Sequence, residues 1–350
     1  MQDLTLVINL GSSSLKAALV DSAVAKVWRG GRTLQADETL NAVLDSWLAP
    51  ELEPYRSAIS LVGHRVVHGG ERFTAPTLIT AEVETALQEL VPLAPLHNPP
   101  ALKGLAWAQH WAPGVPQWAC FDTAFHNTLP AAASTYALPL ALRERGFRRF
   151  GFHGINHQHV AESVAAQWTG QGRDPKQLRL ISAHLGAGAS LAAVHGGRCI
   201  DTTMGYTPLE GLVMATRSGS VDPGVLLELM REGHTAAELA DQLQKQAGLK
   251  GLSGLSGDMR EIREQALQGH TGASLALEVF RHRLLQEIGA MAASLGGVDV
   301  LALTGGIGEH DGTLRDELAQ ALGWIPGLEI LVVPADEEGM IARLCVRAET

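Results

Sequence analysis

Two stretches of the chain share one hydrophobic pattern. Leu6 to Val20 (LVINLGSSSLKAALV) and Leu180 to Val194 (LISAHLGAGASLAAV) each set two β-rich apolar runs around a turn of small residues. That pattern predicts a β-hairpin in each. Leu10-Gly11 falls on Leu185-Gly186, and Ser14-Leu15 falls on Ser190-Leu191 with one residue inserted. Two such hairpins in one chain predict two related domains. Their turns lack bulky side chains, so backbone N–H groups can approach an anion closely. A cleft with one such loop on each wall predicts a nucleotide site.

The remaining pattern alternates strands and helices, which gives an α/β class. An amphipathic helix is predicted over 37–48 and a buried strand over 58–67. A helix capped by Thr80 is predicted over 81–91, with Glu82 and Glu84 in its first turn. The four prolines between 92 and 100 predict a rigid loop, with helix resuming over 101–111. Strands are expected at 116–122, 299–304 and 329–333. A helix is expected after GFHGINH (151–157), running to about Trp168, and others over 222–232, 235–247, 258–268 and 272–295. One more is expected near Asp311, and a last one from Asp336.

Composition narrows the class. The chain has 350 residues, enough for two domains with a core each. It is 46% hydrophobic and 18% charged, as in a soluble enzyme. The net charge of -10 argues against nucleic acid or an anionic membrane as a partner. No apolar run reaches the ~18 residues of a membrane span. Cys120, Cys199 and Cys345 are far apart and form no CxxC pair. A disulfide framework or zinc site is therefore not expected, and a reducing cytoplasm is. The N-terminal Met1-Gln2-Asp3 lacks the basic segment of a signal peptide, which points the same way.

Polar residues cluster at predicted strand ends and glycine turns, where sites are usually built. Asn9, Ser12, Ser14 and Lys16 surround the first turn, and a lysine with hydroxyls and amides suits phosphate. Arg65 stands among apolar strand residues and needs an anionic partner, either a structural carboxylate or a substrate. Arg217 poses the same question from a loop; guanidinium binds carboxylate or phosphate bidentately. Asp122 ends a strand, and His153 lies between Phe152 and Gly154. Asp258 opens a helix and reads first as a cap. Gly305, Gly306 and Gly308 follow a strand and lead to a helix, an arrangement that seats anions. Glu337, opening the last helix, suits the helix dipole or a metal ion.

In order along the chain, NLGSSSLK, GHRVVHGGE, APLHNPP, FDTAFH, RRFGFHG, HLGAGAS, TPLEGL, TRSG, SGDMREI, TGGIGE and PADEE resemble the motifs of the acetate kinases. The resemblance covers nearly the whole chain. It implies a duplicated actin-like ATPase (ribonuclease H-like) α/β fold with two domains and a central cleft. The domains would be 1–126 plus 338–350, and 127–337. It implies phosphoryl transfer from ATP to acetate, giving acetyl phosphate and ADP, with Mg2+ or Mn2+ and a cytoplasmic homodimer. By the same resemblance Asn9 and Glu337 are metal residues, and Ser12, Ser14 and Lys16 the phosphate-side loop. Arg65, Asp122, His153 and Arg217 are the catalytic group, with Arg65 also binding substrate beside His97. Val67, Leu96, Phe152 and Pro208 would form the acyl pocket. The nucleotide segments would be His184, Leu185, Gly186, Ala187 and Gly188, then Asp258, Met259 and Arg260, then Gly306, Ile307, Gly308, Glu309 and His310. Acetate is already ionised at neutral pH, so Asp122 is expected to orient Arg65 or a metal-bound water rather than act as a base.

The chain departs from the family pattern on the nucleotide side. Ala187 and His310 stand where asparagines are usual, Ala215 and Ser220 alter GTRSGD, and the stretch before Arg65 is short. Alternatives are therefore a propionate or other short-chain carboxylate kinase, a pyrophosphate- or phosphate-dependent acetate kinase, an inactive nucleotide-binding relative, and an actin-like conformational ATPase. The last has no need for Arg65, Arg217 and His153 together. Removing Arg65 or Arg217 is expected to abolish acyl phosphate formation and leave the fold intact.

Overall fold

A computed structural model describes residues 3–11, 14–35, 38–95 and 97–350. The chain divides into two compact units. Unit 1 comprises Met1–Asn127, His153–His159 and Asp336–Thr350; unit 2 comprises Thr128–Phe152 and Val160–Ala335.

Unit 1 is built on a six-stranded sheet of β1 (Leu4–Leu10), β2 (Ser14–Asp21), β3 (Lys26–Thr33), β4 (Ile59–Val66), β5 (Thr77–Leu78) and β6 (Gln117–Phe121). Its order is β3-β2-β1-β4-β6-β5. The first three strands form an antiparallel meander, and β4 and β6 then add parallel to β1. β1 is buried along its whole length, so its alternate residues enter different cores. Leu4, Leu6, Ile8 and Leu10 pack with Leu48, Trp107 and Trp111 on one face. Val7 packs with Cys120, Met340, Ile341 and Cys345 on the other, beneath the C-terminal helix Glu337–Glu349.

Unit 2 repeats the plan with β7 (Arg179–Leu185), β8 (Ala189–His195), β9 (Arg198–Thr202), β10 (Val300–Thr304) and β11 (Glu329–Val332). The order is β11-β10-β7-β8-β9. Again a meander of three is followed by two parallel strands, β10 beside β7 and β11 beside β10. The helix Thr271–Leu295 lays Phe280, Leu284 and Ile288 into the core. It ends on Gly296 in the left-handed conformation, a common helix stop.

Both predicted hairpins form, but the sequence alignment of their second strands does not hold. Leu10 faces Leu15, whereas Leu185 faces Ala189, so the second turn is one residue shorter. Lys16 is therefore equivalent to Ser190, and Leu15 to Ala189. Three helix boundaries also differ. Helix begins at Leu40 and widens into a π-turn at Leu44–Leu48, ahead of Pro50, which lacks the N–H needed to continue the ladder. The next helix starts at Asn98 instead of 101, because Pro99 and Pro100 fall in the first turn, where no N–H is required. Gly305–His310 is itself helical, and Gly312–Ala321 follows with Asp311 as its cap. Gly306 and Gly308 thus lie within a helix rather than a loop.

Candidate active site

Strand alternation assembles the first array, which lies wholly in unit 1. Val7, Gly63 and Cys120 face the C-terminal helix. Two residues further along each strand, or just past its end, stand Asn9, Arg65 and Asp122. Period 2 puts them on that same face, at the C-terminal ends of three parallel neighbours. Gly63 allows the helix to lie close, since a Cβ there would stand 2.7 Å from Ile341 and 2.8 Å from the Cys345 Sγ. The start of that helix therefore comes down beside Asn9 and Arg65.

Arg65 is held on both sides. Its Nε donates to both Asp122 carboxylate oxygens at 3.1 Å, and Nη2 donates to Asp122 Oδ2 at 2.6 Å. Its Nη1 donates to Asn9 Oδ1 at 3.1 Å and lies 3.8 Å from Glu337. Asn9 Nδ2 in turn donates to Glu337 at 2.9 Å and to Glu338 at 3.1 Å. Burial works against the guanidinium charge, but Asp122 and Glu337 outweigh it and raise the pKa further above its ordinary value. Burial also lifts the Asp122 carboxyl, while Arg65 pulls it back towards ionisation. The geometry is that of a carboxylate positioning an arginine. A guanidinium carries five N–H bonds. Among the described residues three of them are engaged, which leaves two to meet an anion.

His153 follows directly in space. Gly154 donates its N–H to the carbonyl of Asp122 at 2.9 Å, and a Cβ on Gly154 would collide with that carbonyl. His153, one residue earlier, has φ of 56°, a left-handed conformation uncommon for a residue with a side chain. Such conformations persist where surrounding structure imposes them, often at functional sites. Lys16 is exposed on β2, paired in register with Asn9, and Ser14 accepts the Gly11 N–H at 2.8 Å. Val67 is buried just past β4, and His97 precedes the helix Asn98–Trp111 as its N-cap residue. Ser12 and Leu96 lie outside the described residues.

The second array lies wholly in unit 2, around a groove of about 670 Å³. Of the residues that the sequence assigned to the nucleotide segments, Gly186, Ala187, Asp258, Met259, Arg260, Gly306, Ile307 and His310 line it. His184, Leu185, Gly188, Gly308 and Glu309 are not among its walls. Leu185 is fully buried in β7, and Gly308 backs onto Leu303 and Ala183. Glu309 accepts from the N–H groups of Gly305 and Ala335, both at 3.0 Å, and so braces the turn. Helix period explains the split: 306, 307 and 310 share a face, whereas 305, 308 and 309 do not. Asp258 caps the helix Met259–Leu267, and its bonds to Arg260, side chain first and then backbone, lower its pKa to about 2. Arg217 donates to the Pro208 carbonyl at 2.6 Å. Phe152 is buried in this unit.

Sequence reasoning missed Glu338, Arg263 and Asp311. Arg263 pairs with Asp311 at 2.6 Å and both line the groove. The i,i+3 spacing of Arg260 and Arg263 and the acidic doublet of PADEE were the available signals.

Two units of one strand order, a buried arginine–carboxylate array and a groove of nucleotide size define a phosphotransferase on the duplicated actin-like ATPase fold. The sequence model of the acetokinase family matches residues 29–343. Acetate kinase from Deinococcus radiodurans is 45% identical over 391 aligned positions, covering 97% of this chain and 96% of that protein. The crystal structure of Porphyromonas gingivalis acetate kinase superposes with a TM-score of 0.90 at 36% identity, covering 99% of this chain and 100% of that one. That of a propionate kinase from Francisella tularensis gives 0.91 at 33%, covering 99% of each. The chain belongs to the acetokinase family.

Proposed function

We propose that this protein transfers the γ-phosphoryl group of ATP to the carboxylate of acetate, reversibly, giving acetyl phosphate and ADP. The observation that carries the reading is the state of Arg65. It is a charged guanidinium, fixed by Asp122 and Asn9 at strand ends, with two N–H bonds to spare. That suits a small carboxylate or a phosphoryl oxygen. Acetate is a competent nucleophile without deprotonation, and a carboxylate bidentate with arginine is a poor base. Asp122 therefore acts as a positioning residue. Arg217 and His153 supply positive charge or donors to the equatorial oxygens in flight. Lys16 and Ser14, with Ser12, serve the phosphate side. His97, Val67, Leu96, Phe152 and Pro208 are assigned to the acyl group.

The groove in unit 2 supports a nucleotide donor over pyrophosphate. Its volume falls within the ~300–1,000 Å³ usual for small-molecule sites. Ala187, Met259 and Ile307 give it apolar walls that a base and ribose can use and pyrophosphate cannot. Magnesium is assigned to Asn9 and Glu337, because this ion prefers hard oxygen donors and needs only one or two from protein; the amide here turns its N–H to Glu337 and its oxygen to Arg65, so it would have to turn over to offer that oxygen to the ion. When bound it would neutralise phosphate charge. Cys120, Cys199 and Cys345, buried as thiols, support a reducing compartment. The exposed Val225, Leu227 and Met230 on the helix Pro223–Arg231 support a homodimer.

The test is a hydroxylamine trap for acyl phosphate, with magnesium, acetate, propionate or butyrate, and ATP or pyrophosphate. Greatest turnover with ATP and acetate is expected. Propionate is the rival, given the likeness to a propionate kinase, and a higher kcat/KM for it would reassign the acyl substrate. Product with pyrophosphate alone would overturn the nucleotide assignment.

A further inference from the structure

We infer that Glu210, clamped between Tyr136 and Arg149, is a positioning residue that fixes the Pro208 carbonyl against Arg217. The inference rests on the proposed roles of Arg217 at the phosphoryl group and of Phe152 and Pro208 at the acyl group. All of these residues belong to unit 2. The segment 203–222 carries neither helix nor strand, so side chains rather than a backbone ladder must set its shape. Arg149 Nη1 donates to the carbonyls of Thr202, Thr203 and Met204 at 3.0, 2.9 and 2.9 Å, where β9 ends. Its Nη2 donates to Glu210 Oε1 at 2.6 Å. The Tyr136 O–H donates to Glu210 Oε2 at 2.5 Å and accepts the Tyr206 N–H at 2.9 Å. Both oxygens of Glu210 are thus engaged, and charge-assisted bonds of this kind are the strong ones.

The clamp spans Pro208. A Cβ on Gly205 would stand 1.7 Å from Glu210 Oε2 and 2.1 Å from Tyr136 Oη, so the carboxylate lies on bare backbone there. The Gly205 carbonyl accepts the N–H groups of Phe150 at 3.0 Å and Gly151 at 3.3 Å, which ties in the segment leading to Phe152. Beyond Glu210, Gly211 donates its N–H to Ser220 Oγ at 3.1 Å, and its carbonyl accepts the Ser220 N–H at 2.9 Å. Between these anchors the Pro208 carbonyl accepts from Arg217 Nη1 at 2.6 Å. Without Glu210, Arg149 would still hold 202–204, but its grip would end before Pro208. Burial, and then the bond to Glu210, raises the Tyr136 pKa above its ordinary value, so the phenol keeps its proton to donate.

The experiment is steady-state kinetics of acyl phosphate formation by the full chain, in a double-mutant cycle of Glu210→Gln with Arg217→Lys. Glutamine keeps the size but offers one carbonyl oxygen to two donors. Glu210→Gln should lower kcat and raise KM for acetate, each on the order of tenfold, with KM for ATP little changed. Tyr136→Phe should do the same by a smaller factor, and it serves if the first variant fails to fold. Loss of folded protein would lower kcat and leave KM alone, so the rise in KM separates positioning from damage. With Arg217→Lys already present, Glu210→Gln should cost less than about twofold more. If it costs the same factor in both backgrounds, Glu210 does not act through Arg217 and the inference fails. It fails also if Glu210→Gln and Tyr136→Phe leave KM for acetate unchanged. If Arg217→Lys matches wild type in every constant, the reading of Arg217 itself fails.

Discussion

The two units share one scaffold and put different chemistry on it. In both, a three-stranded meander is extended by two parallel strands. Aligned on β1 and β7, Asn9 is equivalent to His184, and Ile8, which faces His64, to Ala183, which faces Leu303. Arg65 is therefore equivalent to Thr304. Unit 1 carries charge at its strand ends, in Arg65 and Asp122. Unit 2 has threonine and glycine there and moves its charges to helices, as Asp258, Arg260, Arg263 and Asp311. The lesson is that a strand end can offer either a side chain or a bare backbone. A small carboxylate is held by fixed side-chain charge, and an extended nucleotide needs room.

The largest expected effect tests the charge in unit 1. Arg65→Met should abolish acyl phosphate formation and also destabilise the fold, because Asp122, 1% exposed, loses its partner. Breaking a buried pair from one side costs about 3–5 kcal/mol. This corrects the sequence-based expectation that the fold would be left intact. The double variant Arg65→Met with Asp122→Leu should recover most of that stability and none of the activity. Arg217→Ala, from unit 2, should lose activity with little change in denaturant midpoint, since Arg217 bonds to a loop carbonyl and is partly exposed. Equal destabilisation by the two single arginine variants would break the contrast.

A second difference lies in the core of the sheets. His64 is buried where unit 2 has Leu303, and its Nε2 meets Gln117 Oε1 at 2.7 Å. Burial lowers its pKa from 6.5 to about 4, against the Gln117 bond. The unfolded chain takes up a proton as pH falls through 6.5, and the folded chain does so only near 4. Stability is therefore fully present above 6.5 and is lost over that interval. At 1.36 kcal/mol per unit, His64 alone accounts for about 3 kcal/mol. Urea unfolding at pH 7 and pH 4 should show the loss. His64→Leu with Gln117→Leu, which makes unit 1 resemble unit 2 here, should reduce it by that amount. An unchanged pH dependence in the double variant would remove His64 from the account.

Much of this was legible in the sequence because it rests on short-range rules. The hairpins, the strand before Arg65 and the long helix 271–295 follow from hydrophobic period. Asn9, Arg65 and Asp122 were found as polar residues at strand ends. What joins them was not legible. Their shared face depends on the strand order β1-β4-β6, and Glu337, which joins them, comes from 328 positions beyond Asn9, with Glu338 beside it. The turn of β7 and β8 was misaligned because serine and leucine repeat two positions apart from the true register. Glu309 was placed in the nucleotide segment because a linear motif does not say which face of a helix its residues take.

The smallest expected effect tests the bare backbone of unit 2. A Cβ on Gly306 would meet nothing within 4 Å, and Gly306 lines the groove. Its φ is not in the left-handed range, so a side chain is tolerated by the backbone. Gly306→Leu should therefore fold normally and place its side chain in space the nucleotide uses. KM for ATP should rise on the order of tenfold, about 1.4 kcal/mol of lost binding, with KM for acetate little changed. The complementary change is Arg65→Lys, which keeps charge and loses the fork, and should raise KM for acetate with little change for ATP. If each variant moved only its own constant, the division between the arrays would hold. If Gly306→Leu raised both equally, the groove would not be the donor's seat, and the apolar walls of Ala187, Met259 and Ile307 would need another occupant.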